Sequence, residues 1–225
     1  MIYPQFFNKI PTIKLQDDLA SFLGAFEDGL IEFSYLDVVK SAGHSCPTVL
    51  GAYLMTLKGL EALYKNEIPK RGEIIVEFKE AQNVAVASVI GNVIMNITGA
   101  TTTNGFKGLA GKYDRNYLMK FEQDINGANV RFTRVDTLKS VDVFYDASSI
   151  KPHEDMNFLM QKSLQGNATN EEKKEFAKLW QKRVEDISNN INEVIKVEGV
   201  LEISCQSDKI QILRVENARR KTNRF

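Results

Sequence analysis

The chain contains few of the residues on which covalent, redox and metal chemistry depends. Its 225 residues include two cysteines, two histidines, one tryptophan and five prolines. Two cysteines cannot build the disulfide framework that stabilises small secreted domains, so we expect reduced thiols and a cytoplasmic protein. The first nine residues also lack the basic start and the long apolar run of a signal peptide, which agrees with that expectation.

Net charge and long hydrophobic runs are also missing. The 29 basic residues balance the 29 acidic ones, so no overall field attracts nucleic acid or an anionic membrane. No apolar run approaches the length of a transmembrane helix. We therefore expect neither a nucleic-acid nor a membrane partner. With 43% hydrophobic residues, the composition is that of a globular protein with a sizeable core.

One short segment, residues 43–47 (Gly-His-Ser-Cys-Pro), contains one of the two histidines and one of the two cysteines. Leucines then recur at three- and four-residue steps as far as residue 63, which predicts an amphipathic helix from Pro47 to about Tyr64. Proline suits the first helical position, where no amide hydrogen is needed. Cys46 would then lie close to the N-cap, where the helix dipole favours a thiolate over a thiol.

A thiolate beside an imidazole is suited either to metal binding or to nucleophilic catalysis. His-x-Cys by itself is a weak metal signature, because a stable zinc site takes three or four ligands. As a nucleophile, Cys46 would use His44 as its base and the helix amides for an oxyanion, although no acidic residue that orients the histidine can be identified. Each residue alone is also compatible with an ordinary buried thiol and an ordinary core or surface histidine. The residues leave these interpretations open.

The same segment resembles the Gly-His-x-Cys-Pro opening of the formylmethanofuran dehydrogenase (FmdE-like) family. The similarity covers about residues 30–121 and includes a strand-like stretch at 72–79 and a Thr-Gly pair at 98–99. It implies a mixed α+β fold. It also implies that His44 and Cys46 bind a divalent metal, usually zinc.

The family tends to carry further ligand-type residues near the Thr-Gly pair. A cysteine and, one turn later, an aspartate precede the pair, and another cysteine follows it; these positions hold Val89, Asn92 and Ala100 here. Our first hypothesis is a metal-binding protein whose site is open to water and to a small ligand or substrate. The alternatives are a cysteine-nucleophile enzyme and a non-catalytic scaffold whose site has decayed.

Residues 99–112 are rich in glycine, threonine and lysine. Their spacing fits neither a Walker A loop nor the dinucleotide-binding fingerprint. One interpretation is a mobile surface loop. The other is that the loop lines a pocket near the His-Cys pair and holds a small anionic ligand. The side chains that would bind it are Thr101, Thr102, Thr103, Lys107 and Lys112.

The remaining patterns predict an α+β domain over residues 1–150, with helices packed on a mostly antiparallel sheet. Apolar spacing predicts helices at 15–29 and 35–40, and β-favouring residues predict a strand at 73–78. Residues 81–97 fit a helix or two strands, and the resemblance favours the helix. Further strands are predicted at 117–121, 130–135 and 140–145.

Residues 151–225 are predicted to form a mainly helical extension. One helix begins near Met156, and the capping-box pattern at 169–172 begins a longer one. An apolar stripe from Phe176 to Ile195 predicts packing on the core or on a second copy of the chain, and we expect a homodimer. A small hairpin (200–204 and 209–213, with Cys205 between its strands) and a basic tail at 219–224 would follow.

Overall fold

Short strands and helices follow one another irregularly along the chain. The computed structural model describes residues 2–202, and within them the strands form one five-stranded mixed sheet and one two-stranded antiparallel ribbon. The strands are β1 (Ile13–Gln16), β2 (Leu30–Phe33), β3 (Ile74–Phe78), β4 (Met119–Lys120), β5 (Val130–Arg134), β6 (Lys139–Tyr145) and β7 (Ile195–Glu202). The helices are α1 (Asp18–Phe22), α2 (Tyr35–Ala42), α3 (Pro47–Tyr64), α4 (Ala87–Thr98), α5 (Met156–Leu164), α6 (Asn170–Asn189) and α7 (Ile191–Val194). The predicted α+β class is confirmed.

Helix α3 runs through the centre of the core. It begins at Pro47 and ends at Tyr64, as predicted, but it is buried along most of its length rather than on one face. Two glycines let it approach the sheet closely. A Cβ atom on Gly51 would overlap the ring of Tyr145, and one on Gly59 would lie 2.6 Å from the ring of Phe132. These positions therefore set the distance between α3 and the sheet.

The large sheet has the strand order β4-β3-β5-β6-β7. Strands β3 and β4 run parallel, and the other three neighbouring pairs run antiparallel. The last strand, β7, lies in the segment predicted as an extension, so that segment contributes a strand to the same sheet as residues 1–150. The domain division near residue 150 stays a prediction.

The predicted helix over residues 15–29 is wrong. Residues 13–16 form β1, whose backbone pairs with β2, and only Asp18–Phe22 is α-helical. Asp17 caps α1, and its amide donates to the carbonyl oxygen of Gly29, 2.8 Å away. Gly29 has a φ of +69°, and a Cβ atom there would overlap the carbonyl oxygen of Asp17. The close contact between these two backbone segments closes the ribbon at the point where α1 begins.

The long C-terminal helix begins with the predicted capping box but is shorter than its apolar stripe. Thr169 and Glu172 exchange the two capping hydrogen bonds, and α6 ends at Asn189. Val184 and Ile187 are fully buried in the chain's own core, and Ile195 is the first residue of β7. This part of the stripe therefore packs inside the chain and not on a second copy.

The second strand of the predicted hairpin, Cys205 and the basic tail lie outside the described residues. Among the helices within residues 2–202, none is long and apolar enough to cross a membrane.

Candidate functional site

His44 follows directly on the end of α2. Gly43 takes up a left-handed conformation with a φ of 77°, which glycine adopts without strain, and the chain leaves the helix with His44 exposed. Nδ1 of His44 lies 3.0 Å from the carbonyl oxygen of Ala42. A carbonyl oxygen only accepts, so in this contact Nδ1 is the donor, and in the neutral imidazole the lone pair is then on Nε2.

Cys46 is the N-cap of α3, as the position of Pro47 predicted. Its Sγ accepts a hydrogen bond from the amide of Val49 at 3.4 Å. The side chain is half-buried, and the N-terminal amides of an 18-residue helix point toward it. The sulfur therefore lies at the positive end of the helix dipole.

Ser45, between His44 and Cys46, is held from two sides. The hydroxyls of Ser45 and Tyr35 lie 2.9 Å apart. On the other side, the indole Nε1 of Trp180 and the amide Nε2 of Gln181 both donate to the carbonyl oxygen of Ser45, at 3.0 and 3.2 Å. Helices α2 and α6 therefore fix the backbone between the two candidate ligands.

Two tyrosine hydroxyls border the Cys46 segment. Tyr145 donates to the carbonyl oxygen of Pro47 at 2.8 Å. Burial raises the pKa of Tyr145 to about 12, against the opposing charge of Arg183. Burial also raises the pKa of Tyr35, and the hydrogen bond with Ser45 offsets only part of that effect. Both hydroxyls therefore stay protonated at neutral pH and act as neutral hydrogen-bonding groups.

His44 lines a cavity of about 400 Å³ between α2 and α4, called here the α2–α4 cavity. Its polar side chains, besides His44, are Ser41, Asn92 and Asn96, and all three are uncharged; Nδ2 of Asn96 donates to Oγ of Ser41 at 2.6 Å. Val89 lies in the same wall. The positions at which the family tends to carry a cysteine and an aspartate, Val89 and Asn92, thus share a cavity with His44.

His44 also lines a second cavity, of about 510 Å³, between α5 and α6; it is called the α5–α6 cavity. Its walls are mostly apolar, and the residues around it are His44, Ser45, Met160, Ser163, Leu164, Phe176, Ala177, Trp180 and Gln181. The imidazole therefore lies at the border of one cavity with mixed polar and apolar walls and one that is mostly apolar. Ala100, the third position with a family preference, is fully buried and lines neither of them.

The side chains around His44 and Cys46 supply no further strong metal ligand within the described chain. Among residues 2–202, no three or more histidine, cysteine, aspartate or glutamate side chains lie close enough to hold one ion together. A closed structural zinc site, which needs four protein ligands, is therefore not assembled from this part of the chain.

The threonine- and lysine-rich loop lies elsewhere. Residues 101–112 line neither the α2–α4 nor the α5–α6 cavity. Thr101 is buried and donates its hydroxyl to the carbonyl oxygen of Arg115 at 2.8 Å, and Thr102 donates to the side chain of Asn104. Thr103, Lys107 and Lys112 are exposed. The structure does not bring the five predicted anion ligands to His44, and anion binding by the loop itself stays a prediction.

A buried charge network anchors this loop and was not anticipated from the sequence. The carboxylate of Asp17, 2% exposed, accepts from Nη1 of Arg71 at 2.8 Å and from Nη2 of Arg115 at 2.6 Å. Arg71 also donates to the last carbonyls of α4, those of Asn96 and Ile97. The network therefore holds α4, which forms one wall of the α2–α4 cavity. The one residue in the sequence that could have indicated this network is Gly72. A Cβ atom at that position would overlap the guanidinium group of Arg115, so the network requires glycine there.

Comparison with known proteins gives one family. The family model described as "FmdE, Molybdenum formylmethanofuran dehydrogenase operon" matches residues 42–196. That interval includes His44, Cys46 and the helices α4 to α6, and it extends well beyond the residues on which the sequence resemblance rests. No curated protein is similar enough to the chain to count as a match.

Proposed function

The chain belongs to the FmdE family, and from that premise we propose that it binds a divalent metal, zinc, through Nε2 of His44 and Sγ of Cys46. Two protein ligands leave coordination positions for water and for a small ligand or substrate. A metal bound there would supply Lewis-acid coordination of a polar or anionic group on that ligand. The chain's own residues orient the two ligands and shape the cavities beside them.

One observation carries the proposal. Nδ1 of His44 contacts the carbonyl oxygen of Ala42 as the hydrogen-bond donor. In the neutral imidazole, this leaves the lone pair of Nε2 available to bind a metal. Metal-binding histidines in proteins commonly donate their other ring N–H to a backbone carbonyl in this way. The second ligand lies two residues further on, with its backbone fixed by the hydrogen bonds to Ser45. The backbone that carries the two proposed ligands is therefore fixed without a metal.

The nucleophile alternative has less support. The His44 ring contacts the carbonyl oxygen of Ala42 instead of Cys46, and the sulfur accepts from the amide of Val49. Within residues 2–202, no acidic side chain makes an ion pair with this imidazole or accepts a hydrogen bond from it. A histidine that activates Cys46 would need both the contact with the sulfur and an orienting partner. Metal ligation needs neither, so we place it first.

The chain contains its own matched controls, because it has two histidines and two cysteines. We expect the purified or zinc-reconstituted protein to carry about one metal ion per chain. Cys46→Ser and His44→Ala should each lower zinc affinity by about tenfold or more, since each removes one of two protein ligands. Cys205→Ser and His153→Ala are the controls; the His153 side chain is half exposed and contacts Asp155.

Cobalt substitution adds a readout of which side chain binds the metal, beside how much metal is bound. A cobalt–thiolate bond gives charge-transfer absorption, which should be present in the wild type and in Cys205→Ser and absent in Cys46→Ser. Elemental analysis that finds no metal after reconstitution would refute the proposal and favour the scaffold alternative. Equal loss of affinity in both cysteine variants would instead make Cys205 a third ligand.

A homodimer remains part of the proposal, with a different surface from the predicted stripe. Val184 and Ile187 are buried within the chain and are unavailable to a partner. Four apolar side chains between residues 22 and 30 are 51–64% exposed: Phe22, Leu23, Phe26 and Leu30. Exposed apolar residues that cluster in this way commonly mark an interface between protein chains. We propose that this cluster contacts a second copy.

A further inference from the structure

The α5–α6 cavity has the composition of a ligand site. Its volume of about 510 Å³ falls within the range of small-molecule pockets, which are mostly apolar with a few polar groups at fixed places. Met160, Leu164, Phe176 and Trp180 supply hydrocarbon and aromatic surface, and none of the described residues that line it is Asp, Glu, Lys or Arg. A charged molecule without an apolar part would gain nothing here.

The indole N–H of Trp180 already makes a hydrogen bond within the protein. Its Nε1 donates inward to the carbonyl oxygen of Ser45, so the part of the indole that faces the cavity has no hydrogen-bonding group left. Phe176 lies beside it, with ring centroids 5.7 Å apart. Together the two rings form an aromatic wall that favours an apolar, preferably aromatic, partner.

The cavity is held open by contacts outside it. The ammonium group of Lys162 on α5 pairs with the carboxylate of Glu172 on α6, and the same carboxylate accepts from the amide of Thr169 at 2.8 Å. The connection between the two helices is therefore fixed by a capping box and an ion pair. A pocket that is formed before binding loses little free energy to ordering.

Among the described residues that line the cavity, His44, the proposed metal ligand, is the one ionisable group. For an anionic end of a molecule that lies against Trp180, the imidazole and any metal bound to it are the partner that this lining offers. We propose that the α5–α6 cavity binds the apolar end of a small amphiphilic molecule, an aryl or alkyl carboxylate, whose carboxylate reaches the metal at His44. This inference rests on the proposed metal site for its polar end and on the cavity alone for its apolar end.

Trp180 gives a direct readout, because it is the only tryptophan of the chain. We expect 4-phenylbutyrate to change the tryptophan emission of the zinc-loaded protein along a saturable curve. Butyrate, which has the same headgroup without the ring, should bind about tenfold more weakly or worse, since it buries far less apolar surface. Ala177→Phe should abolish the response by filling the cavity from an exposed helical position. Lys178→Phe, next to it but outside the cavity, should leave the response unchanged.

A second pair of ligands separates this inference from the metal proposal. In the zinc-loaded protein, 4-phenylbutyrate should bind more tightly than 4-phenyl-1-butanol, and removal of zinc should abolish the difference. If 4-phenylbutyrate and 4-phenyl-1-butanol bind equally with and without zinc, and Ala177→Phe still blocks both, the result supports the cavity proposal and refutes the metal site. If the emission does not respond to either ring compound, or if Ala177→Phe binds like the wild type, the cavity proposal is wrong. Emission that changes with protein concentration instead of ligand would show a second copy on this surface and overturn it.

Discussion

Asp17→Asn removes the negative charge from the buried network while keeping the size of the side chain. The carboxylate is the counter-ion of two guanidinium groups, on Arg71 and Arg115. The two differ in access to water: the Arg71 side chain is 23% exposed and the Arg115 side chain is 7% exposed. Arg71 can turn partly to solvent, whereas Arg115 would keep its charge in the interior without the carboxylate that pairs with it.

The size of the effect follows from that difference. Removing one member of a buried ion pair costs about 3–5 kcal/mol, because an uncompensated charge remains in a poorly solvated place. The new amide oxygen could still accept the hydrogen bonds at the start of α1, which the amides of Leu19 and Ala20 now make to Oδ1 of Asp17, so loss of the helix cap should add little. We expect a loss of free energy of unfolding of about 3 kcal/mol, near the lower end of the range.

The adjacent Asp18 supplies the control. It also faces a cation, Lys70 at 3.5 Å, but its side chain is 50% exposed. An exposed pair of this kind contributes less than about 1 kcal/mol, so Asp18→Asn should be close to neutral. Urea denaturation followed by far-ultraviolet circular dichroism measures both variants. Equal stability of the two, within error, would refute the reasoning.

Dependence on pH provides a second measurement on the same variant. Burial by itself raises the pKa of Asp17, but the hydrogen bond from Arg71 and the charge of Arg115 outweigh it, so the folded pKa lies below the ordinary value of 3.8. A lowered carboxyl pKa stabilises the fold fully above the unfolded pKa, and the contribution is lost as the pH falls through the folded value. The wild type should therefore lose more stability than Asp17→Asn below about pH 4.

A rescue experiment tests whether the unpaired charge is the cause. Asp17→Asn combined with Arg115→Met removes both charges, and apolar replacement of a buried ion pair is often neutral or stabilising. The double variant should regain at least half of the lost stability. If it is less stable than Asp17→Asn, then the hydrogen bond from Arg115 to the carbonyl oxygen of Arg71 matters more than the charge.

Three further predictions follow from packing, charge and exposed surface. Gly59→Ala should lower the free energy of unfolding by about 1–3 kcal/mol, because its Cβ would overlap the buried ring of Phe132; an unchanged melting temperature would contradict the close packing of α3 on the sheet. Lys107→Ala with Lys112→Ala should weaken phosphate or acetate binding in calorimetry. Zinc content and melting temperature should stay unchanged, since both side chains are exposed. Identical anion affinities would show that these two lysines do not bind the anion. Leu23→Glu should give a folded monomer by light scattering if the exposed cluster around residues 22–30 is the dimer interface, whereas Phe158→Glu, on the equally exposed α5 surface, should leave the dimer intact.

Some elements could be predicted because their signals lie within a few residues. Pro47 at the first helical position and the leucines that follow it determine α3 locally. The capping box at Thr169 likewise determines where α6 begins. The end of α6 could not be predicted, because the apolar stripe continues through α7 into β7. An apolar stripe in the sequence indicates which side chains are buried, and side chains can stay buried while the backbone changes from helix to strand.

The N-terminal ribbon shows the opposite case. Leu15 and the apolar residues after it have helical spacing, yet Leu15 is buried in β1 opposite Ile31. Strand pairing is decided between segments that are distant in sequence, and local spacing carries little information about it.

The two candidate ligands could be named without a structure, since His44 and Cys46 are two residues apart and the helix that follows places the cysteine at its N-cap. The family resemblance singled out Val89 and Asn92 as positions where the family tends to carry ligand-type residues, and both share a cavity with His44. The surroundings of the pair, in contrast, come from contacts between distant parts of the chain. Trp180 contacts Ser45 across 135 residues, and Arg115 meets Asp17 across 98. The first contact places Trp180 beside the segment that joins His44 and Cys46, and the second joins the start of α1 to the residues that follow the glycine-rich loop. Such contacts depend on how the helices and the sheet pack in three dimensions, and the spacing of residues along the chain does not predict this packing.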